Sequence, residues 1–187
     1  MTKTRIILSA LLIGSLLTGT VKAQSKSAQP ITPMKVGSAT LNLGIGVGAE
    51  YDGRYYANPF GTKIAAEWGL WQAGPGVITL GGEIGGSFSN NGSWEGHDDY
   101  KARTIVTAVR SAWHYGWKVK GLDTYGGLSA GLAFQHYGYP DHYDNNVLPY
   151  FGGFVGASYF FTPGFGVNAE AGYDITQFQI GVVFKLK

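Results

Sequence analysis

From Phe165 to Lys187 the chain alternates with a period of two. Phe165, Val167, Ala169, Ala171 and Tyr173 share one parity, and Gly166, Asn168, Glu170, Gly172 and Asp174 share the other. After the link Ile175-Thr176-Gln177 the pattern resumes, with Phe178, Ile180, Val182, Phe184 and Leu186 set against Gln179, Gly181, Val183 and Lys185. Successive side chains of a strand point to opposite faces. The pattern therefore predicts two strands, each with one apolar face and one face of glycine, amide and charge.

The same alternation recurs upstream and predicts six further strands, near 39–51, 60–71, 77–88, 102–115, 124–136 and 150–161. In the first, Leu41, Leu43, Ile45 and Val47 oppose Asn42, Gly44, Gly46 and Gly48. In the second, Ile64, Ala66, Trp68 and Leu70 oppose Lys63, Ala65, Glu67 and Gly69. The third sets Ile78, Leu80, Ile84 and Phe88 against Thr79, Gly81, Glu83 and Gly85. The fourth alternates more weakly, with Ile105, Val109, Trp113 and Tyr115 on one face and Val106, Arg110 and His114 on the other. The fifth has Leu128, Ala130, Leu132 and Phe134 against Tyr125, Gly127, Ser129, Gly131 and Gln135. The sixth is apolar on both faces, so its orientation stays open. Connections alternate between long and short; the last outer link, at 174–177, is short and breaks that trend. An even strand number with long loops on one side and tight turns on the other is the plan of a transmembrane barrel, and strands of about 9–11 residues suffice to cross a bilayer. The expected fold is all-β: an eight-stranded antiparallel up-and-down transmembrane β-barrel.

A soluble barrel that binds a ligand inside shows the same period with the opposite sense. Composition favours the membrane sense. Charged residues make up only 14% of the chain, too few for a water-facing outer wall. The polar parity is small or ionic, which suits a lumen that eight strands leave just wide enough for side chains. Glycine, at 30 of 187 residues, opposes helix, and alternating glycine with aromatic residues is a strand signature.

The N-terminus changes the charge picture. Lys3 and Arg5, the apolar run 6–17 and Val21-Lys22-Ala23 have the order of a secretory signal peptide over 1–23. Residues 24–38, with Pro30 and Pro33, read as a flexible periplasmic lead-in to a barrel over 39–187. Without Lys3, Arg5 and Lys22, 11 basic residues face 12 acidic ones, so the basic balance belongs to the signal and gives no support to nucleic-acid binding. The absence of cysteine excludes thiolate metal sites and cysteine nucleophiles. Gly44-Ile45-Gly46-Val47-Gly48 lies inside the alternation and not between a strand and a helix, so it does not read as a phosphate loop.

The parity places Glu67, Glu83 and Glu170 in the lumen with Lys63, Arg110 and Lys185, and an ion in so narrow a space must be paired. The expected result is a structural polar network that plugs the barrel; an ion or proton path is the functional alternative. Two outer-loop groups, His97-Asp98-Asp99 and Asp141-His142-Tyr143-Asp144 with His136 nearby, have ligand types for a divalent cation, or are simply solvated. A serine–histidine–acid site needs its members together on one face. Ser111 and His114 fall on opposite faces and His136 at the far end of its strand, so no catalytic residue, cofactor or metal is assigned.

Three stretches carry a family likeness: Ala157-Ser158-Tyr159-Phe160-Phe161-Thr162-Pro163-Gly164-Phe165-Gly166-Val167, Glu170-Ala171-Gly172-Tyr173, and Ile180-Gly181-Val182-Val183-Phe184-Lys185-Leu186. By these the chain resembles the small eight-stranded outer-membrane β-barrels of the OmpX/OmpA type over about 39–186. The resemblance implies an integral outer-membrane location, outer-membrane lipid as surroundings, and no nucleic-acid partner. Such barrels often end on an aromatic residue; here Phe184 precedes a terminal Lys187. Two roles stay open. One is a structural or adhesive barrel with tyrosine-rich loops (Tyr55, Tyr56, Tyr137, Tyr139, Tyr143); the other is an accessory subunit of a larger envelope complex. A lipid-modifying enzyme and a lipocalin-like carrier are the alternatives.

Overall fold

Each predicted strand forms, and backbone pairing closes the set into a ring. The computed structural model describes residues 33–48, 60–91, 100–139 and 142–186. Its strands are β1 (Ala39–Val47), β2 (Phe60–Ala73), β3 (Gly76–Asn91), β4 (Tyr100–Gly116), β5 (Leu122–Tyr139), β6 (His142–Thr162), β7 (Phe165–Tyr173) and β8 (Phe178–Lys185). Neighbours in sequence pair antiparallel, and β1 pairs β8 from Thr40↔Lys185 to Val47↔Phe178, so the ring has no open seam at this level. The signal segment, Tyr55, Tyr56 and the group His97-Asp98-Asp99 lie outside the described residues, as does Asp141.

The parity sets the sidedness. Leu43, Ile45, Ile64, Trp68, Ile84, Val109, Leu132, Val167 and Ile180 are exposed on the outer wall, while Asn42, Lys63, Glu67, Glu83, Arg110, Gln135, Asn168, Glu170 and Gln179 are buried inside. β6, which the pattern left unoriented, turns Tyr150, Phe154 and Ser158 inward and Phe151, Val155 and Tyr159 outward. Its inward aromatics are accommodated because neighbouring inward positions are glycine. A Cβ on Gly127, the β5 partner of Phe154, would stand 2.6 Å from the Phe154 ring, and one on Gly152 would meet the Tyr150 hydroxyl at 2.7 Å.

Two segments differ from expectation. Residues 137–149, read as a polar loop, continue β5 and β6 as a paired ribbon with register out to Tyr139↔His142. Backbone pairing needs no apolar face once the ribbon stands in water, so polarity there marked the end of the membrane belt and not the end of the strand. The last lead-in residues do not hang free. Gly37 N–H donates to Gly69 O at 2.8 Å, Gly69 N–H donates to Ser38 O at 2.9 Å, and Met34 is buried.

Candidate functional site in the barrel lumen

The inward parity of β2, β3, β4 and β7 brings five of the six lumen candidates together. Arg110, on β4, is wholly buried. Its Nη1 donates to Glu83 Oε2 at 3.0 Å and its Nη2 to Glu170 Oε1 at 3.0 Å. Its Nε stands 2.8 Å from Glu67 Oε1, a charge contact off the line of the N–H. A planar guanidinium can serve three carboxylates at once because its donors form a rigid fork. Lys63, on β2, donates to Glu170, donates to Asp174 Oδ2 at 2.7 Å and lies 3.9 Å from Glu83 Oε2. Glu83 and Glu170 are therefore shared between the two cations.

Lys185 is not part of this cluster. It lies on the same parity but at the last position of β8, and its ammonium donates to the carbonyl of Pro33. Parity fixes the face of a side chain and not its height along the barrel, so shared sidedness did not make it a neighbour of Glu170.

The cluster recruits residues that sequence reading left out. His114 continues the Arg110 face; its Nδ1 is 2.9 Å from Asp123 Oδ2 and its Nε2 3.1 Å from Glu67 Oε2. Thr79 donates to Glu67 Oε2 at 2.5 Å, and Tyr125 donates to Glu170 Oε1 at 3.0 Å. The Tyr125 ring stacks on His114 at 4.8 Å. Asp174, which shares the parity of Glu170 and opens the link at 174–177, accepts from Tyr150 and from the backbone N–H of Ile175 at 2.8 Å. The short link that broke the loop-length trend thus folds into the barrel mouth: Asp174, Ile175 and Thr176 are buried, and Ile175 packs with Val106, Ala133 and Tyr150.

Contacts run without interruption from Asp123 through His114, Glu67, Arg110, Glu170 and Lys63 to Asp174. That string is a poor proton wire, because its middle member is a guanidinium, which does not release a proton in a protein. It is also a poor pore, since Phe154, Tyr125 and Tyr150 fill the space beside the ions. A hollow of about 580 Å³ bounded by Ile45, Val47, Val155, Phe178 and Ile180 opens on the outer wall.

No group of three or more histidine, cysteine or acidic residues suited to a metal occurs among the described residues. Ser111 donates to the carbonyl of Thr79 at 2.7 Å, and the His136 ring lies 2.7 Å from Asn145 Oδ1. Neither is placed near His114.

No family model and no curated protein matches the chain. Solved structures do. Ail, the attachment invasion locus protein of Yersinia pestis, is similar with TM-score 0.52 at 12% identity, over 81% of this chain and 96% of Ail. Its complex with the heparin analogue sucrose octasulfate gives TM-score 0.53 at 13% identity, with the same coverage. The N-terminal β-barrel domain of Pseudomonas aeruginosa OprF gives TM-score 0.49 at 20% identity, over 81% of this chain and 100% of that one. With its eight strands closed in sequence order and its apolar residues outside, the chain has the fold of the small eight-stranded outer-membrane β-barrels.

Proposed function

We propose that the chain is an integral outer-membrane barrel, exported with a cleaved N-terminal signal, that acts through its outer surface and neither conducts nor catalyses. The observation that carries this reading is the contrast between lumen and rim. The lumen is occupied by paired ions and aromatic rings, while β3 to β6 continue as a ribbon past the last apolar row. The outer wall supports the membrane location. Leu128 is 72% exposed, and Phe151, Phe178 and Ile180 are close to that value, in a belt far larger than the apolar patches soluble monomers show. Trp71, Trp113 and Trp117 gather at the end where β1 begins and β8 finishes, as aromatic residues do at a membrane interface.

Reconstitution tests both halves. The mature protein, refolded into planar bilayers, is expected to give no conductance steps, and replacing residues 135–146 with an Asn-Gly turn should leave the barrel folded. Conductance in the unmodified protein would remove the plugged-lumen reading. A role as subunit of a larger envelope complex is tested by gentle extraction from the native membrane and native mass measurement. Recovery solely at the monomer mass counts against it.

A further inference from the structure

We propose that residues 33–38 act as a strap that closes one mouth of the barrel and shields the lumen ions behind it from water. The chain does not run straight into β1. Ser38 N–H donates to Lys35 O at 2.9 Å, Lys35 N–H donates to Ser38 Oγ at 3.2 Å, and Gly37 has φ +84°. This is a four-residue turn with its third residue in the left-handed region, which glycine adopts without strain. The turn folds Pro33 and Met34 back across the opening where β1 begins and β8 finishes.

Two anchors place the strap inside the mouth and not beside it. Lys185 stands on the inward parity of β8, one step beyond the buried Val183, and its ammonium donates to Pro33 O. Gly69 stands on the inward parity of β2, one step beyond the buried Glu67, and a Cβ there would fall on the carbonyl oxygen of Lys35. The strap thus occupies the space that a side chain at 69 would need. Met34 lies between these anchors and is 1% exposed, although it belongs to no strand. Behind the strap sits Glu67, in contact with Arg110 and His114. Ion pairs weaken where water enters, so a cover over this mouth protects them. The opposite mouth is covered in the same way by the link at 174–177, whose Asp174, Ile175 and Thr176 are buried. The strap is held by few bonds: Lys185 to Pro33, Gly37 N–H to Gly69 O and Gly69 N–H to Ser38 O. It can therefore open while the eight strands stay paired. The strap rests on the plugged-lumen reading and adds a second barrier at the mouth.

The chain has no cysteine, so one introduced thiol reports on the mouth. Val77, on β3, is 1% exposed, and its Cγ1 stands 3.3 Å from the position of that same Cβ on Gly69. Val77→Cys, refolded in neutral detergent, is treated with a small charged methanethiosulfonate. Labelling should be at least about tenfold faster when the strap is released, as expected of a site uncovered by local opening. Two substitutions release it by different routes. Gly37→Val strains the turn, since a β-branched residue at positive φ is an outlier, yet its Cβ meets nothing within 4 Å. Gly69→Val takes the place of the Lys35 carbonyl. A thiol introduced instead at Ala133, which packs with Ile175 at the opposite mouth, should stay slow in every background. Gly37 is exposed at the turn, so Gly37→Val should keep the strand content of the parent by circular dichroism, and it decides the matter if Gly69→Val does not fold. Fast labelling of Val77→Cys with the strap unaltered, no acceleration by Gly37→Val, or equal acceleration at Ala133→Cys overturns the strap. Conductance steps in the unmodified protein would refute the plugged lumen, whereas fast labelling without conductance would refute the strap alone.

Discussion

The guanidinium carbon of Arg110 lies 4.0 Å from the centroid of the Phe154 ring. Arg110 is thus held at its edge by Glu67, Glu83 and Glu170 and on its face by an aromatic from β6, two strands away round the ring. Lys63 approaches the same ring at 5.6 Å. Phe154→Ala would remove both the cation–π contact and the volume that keeps water from the ions. A loss of about 3–5 kcal/mol is expected from the cavity, read from urea unfolding in micelles. A loss below about 1 kcal/mol would mean that the ring is incidental to the network.

Arg110→Leu leaves three buried carboxylates short of a cation, and Glu170→Leu leaves Arg110 and Lys63 short of an anion. Breaking a buried pair from one side costs about 3–5 kcal/mol. Because the two residues share one network, Arg110→Leu with Glu170→Leu should cost clearly less than the sum of the single changes. Additive losses in a double-mutant cycle would show that the two ions act independently.

Lys63 ties β2 to the link at 174–177 through Asp174. The link is further fixed by Gln177 N–H donating to Gly48 O at 2.6 Å. Lys63→Met should release Asp174 and speed hydrogen exchange at the Ile175 amide by about tenfold or more, as expected for an amide that opens locally. Amides in the middle of β4 serve as the internal control. Equal acceleration at both places would mean that the whole barrel has loosened, not the link alone.

Gly156 is open to a different test, since the Tyr125 ring occupies the space its Cβ would need. Gly156→Leu should overpack the lumen and cost roughly 1–3 kcal/mol. It should also displace the Tyr125 hydroxyl from Glu170, visible as a changed tyrosine signal in the near-ultraviolet. Pairing it with Tyr125→Ala should recover part of the loss. Absence of any recovery would place the strain elsewhere.

Much of the fold was legible because a strand writes its burial into the sequence with a period of two. The run from Phe165 to Leu186 gave both strand positions and faces, and the same parity put Lys63, Glu67, Glu83, Arg110 and Glu170 on the inside. Alternation carries no orientation where the two faces stop differing. β6 carries large apolar residues on both sides, and its register with β5 and β7 turns Phe154 and Tyr150 inward, where Gly127 and Gly152 leave them room. Nor does alternation mark strands at 137–149, where a paired ribbon in water needs no apolar face.

By itself, then, the sequence determined the number of strands, their sidedness in seven cases out of the eight, and five of the ions sealed inside. The tertiary structure decided which of those ions meet. Register and strand stagger set the height of each side chain, so Lys185 went to Pro33 at one end while His114, Asp123 and Asp174 joined the network. The physical reason is that alternation is a local property of one strand. Contact between charges depends on how strands slide past one another, which is fixed by pairing around the closed ring.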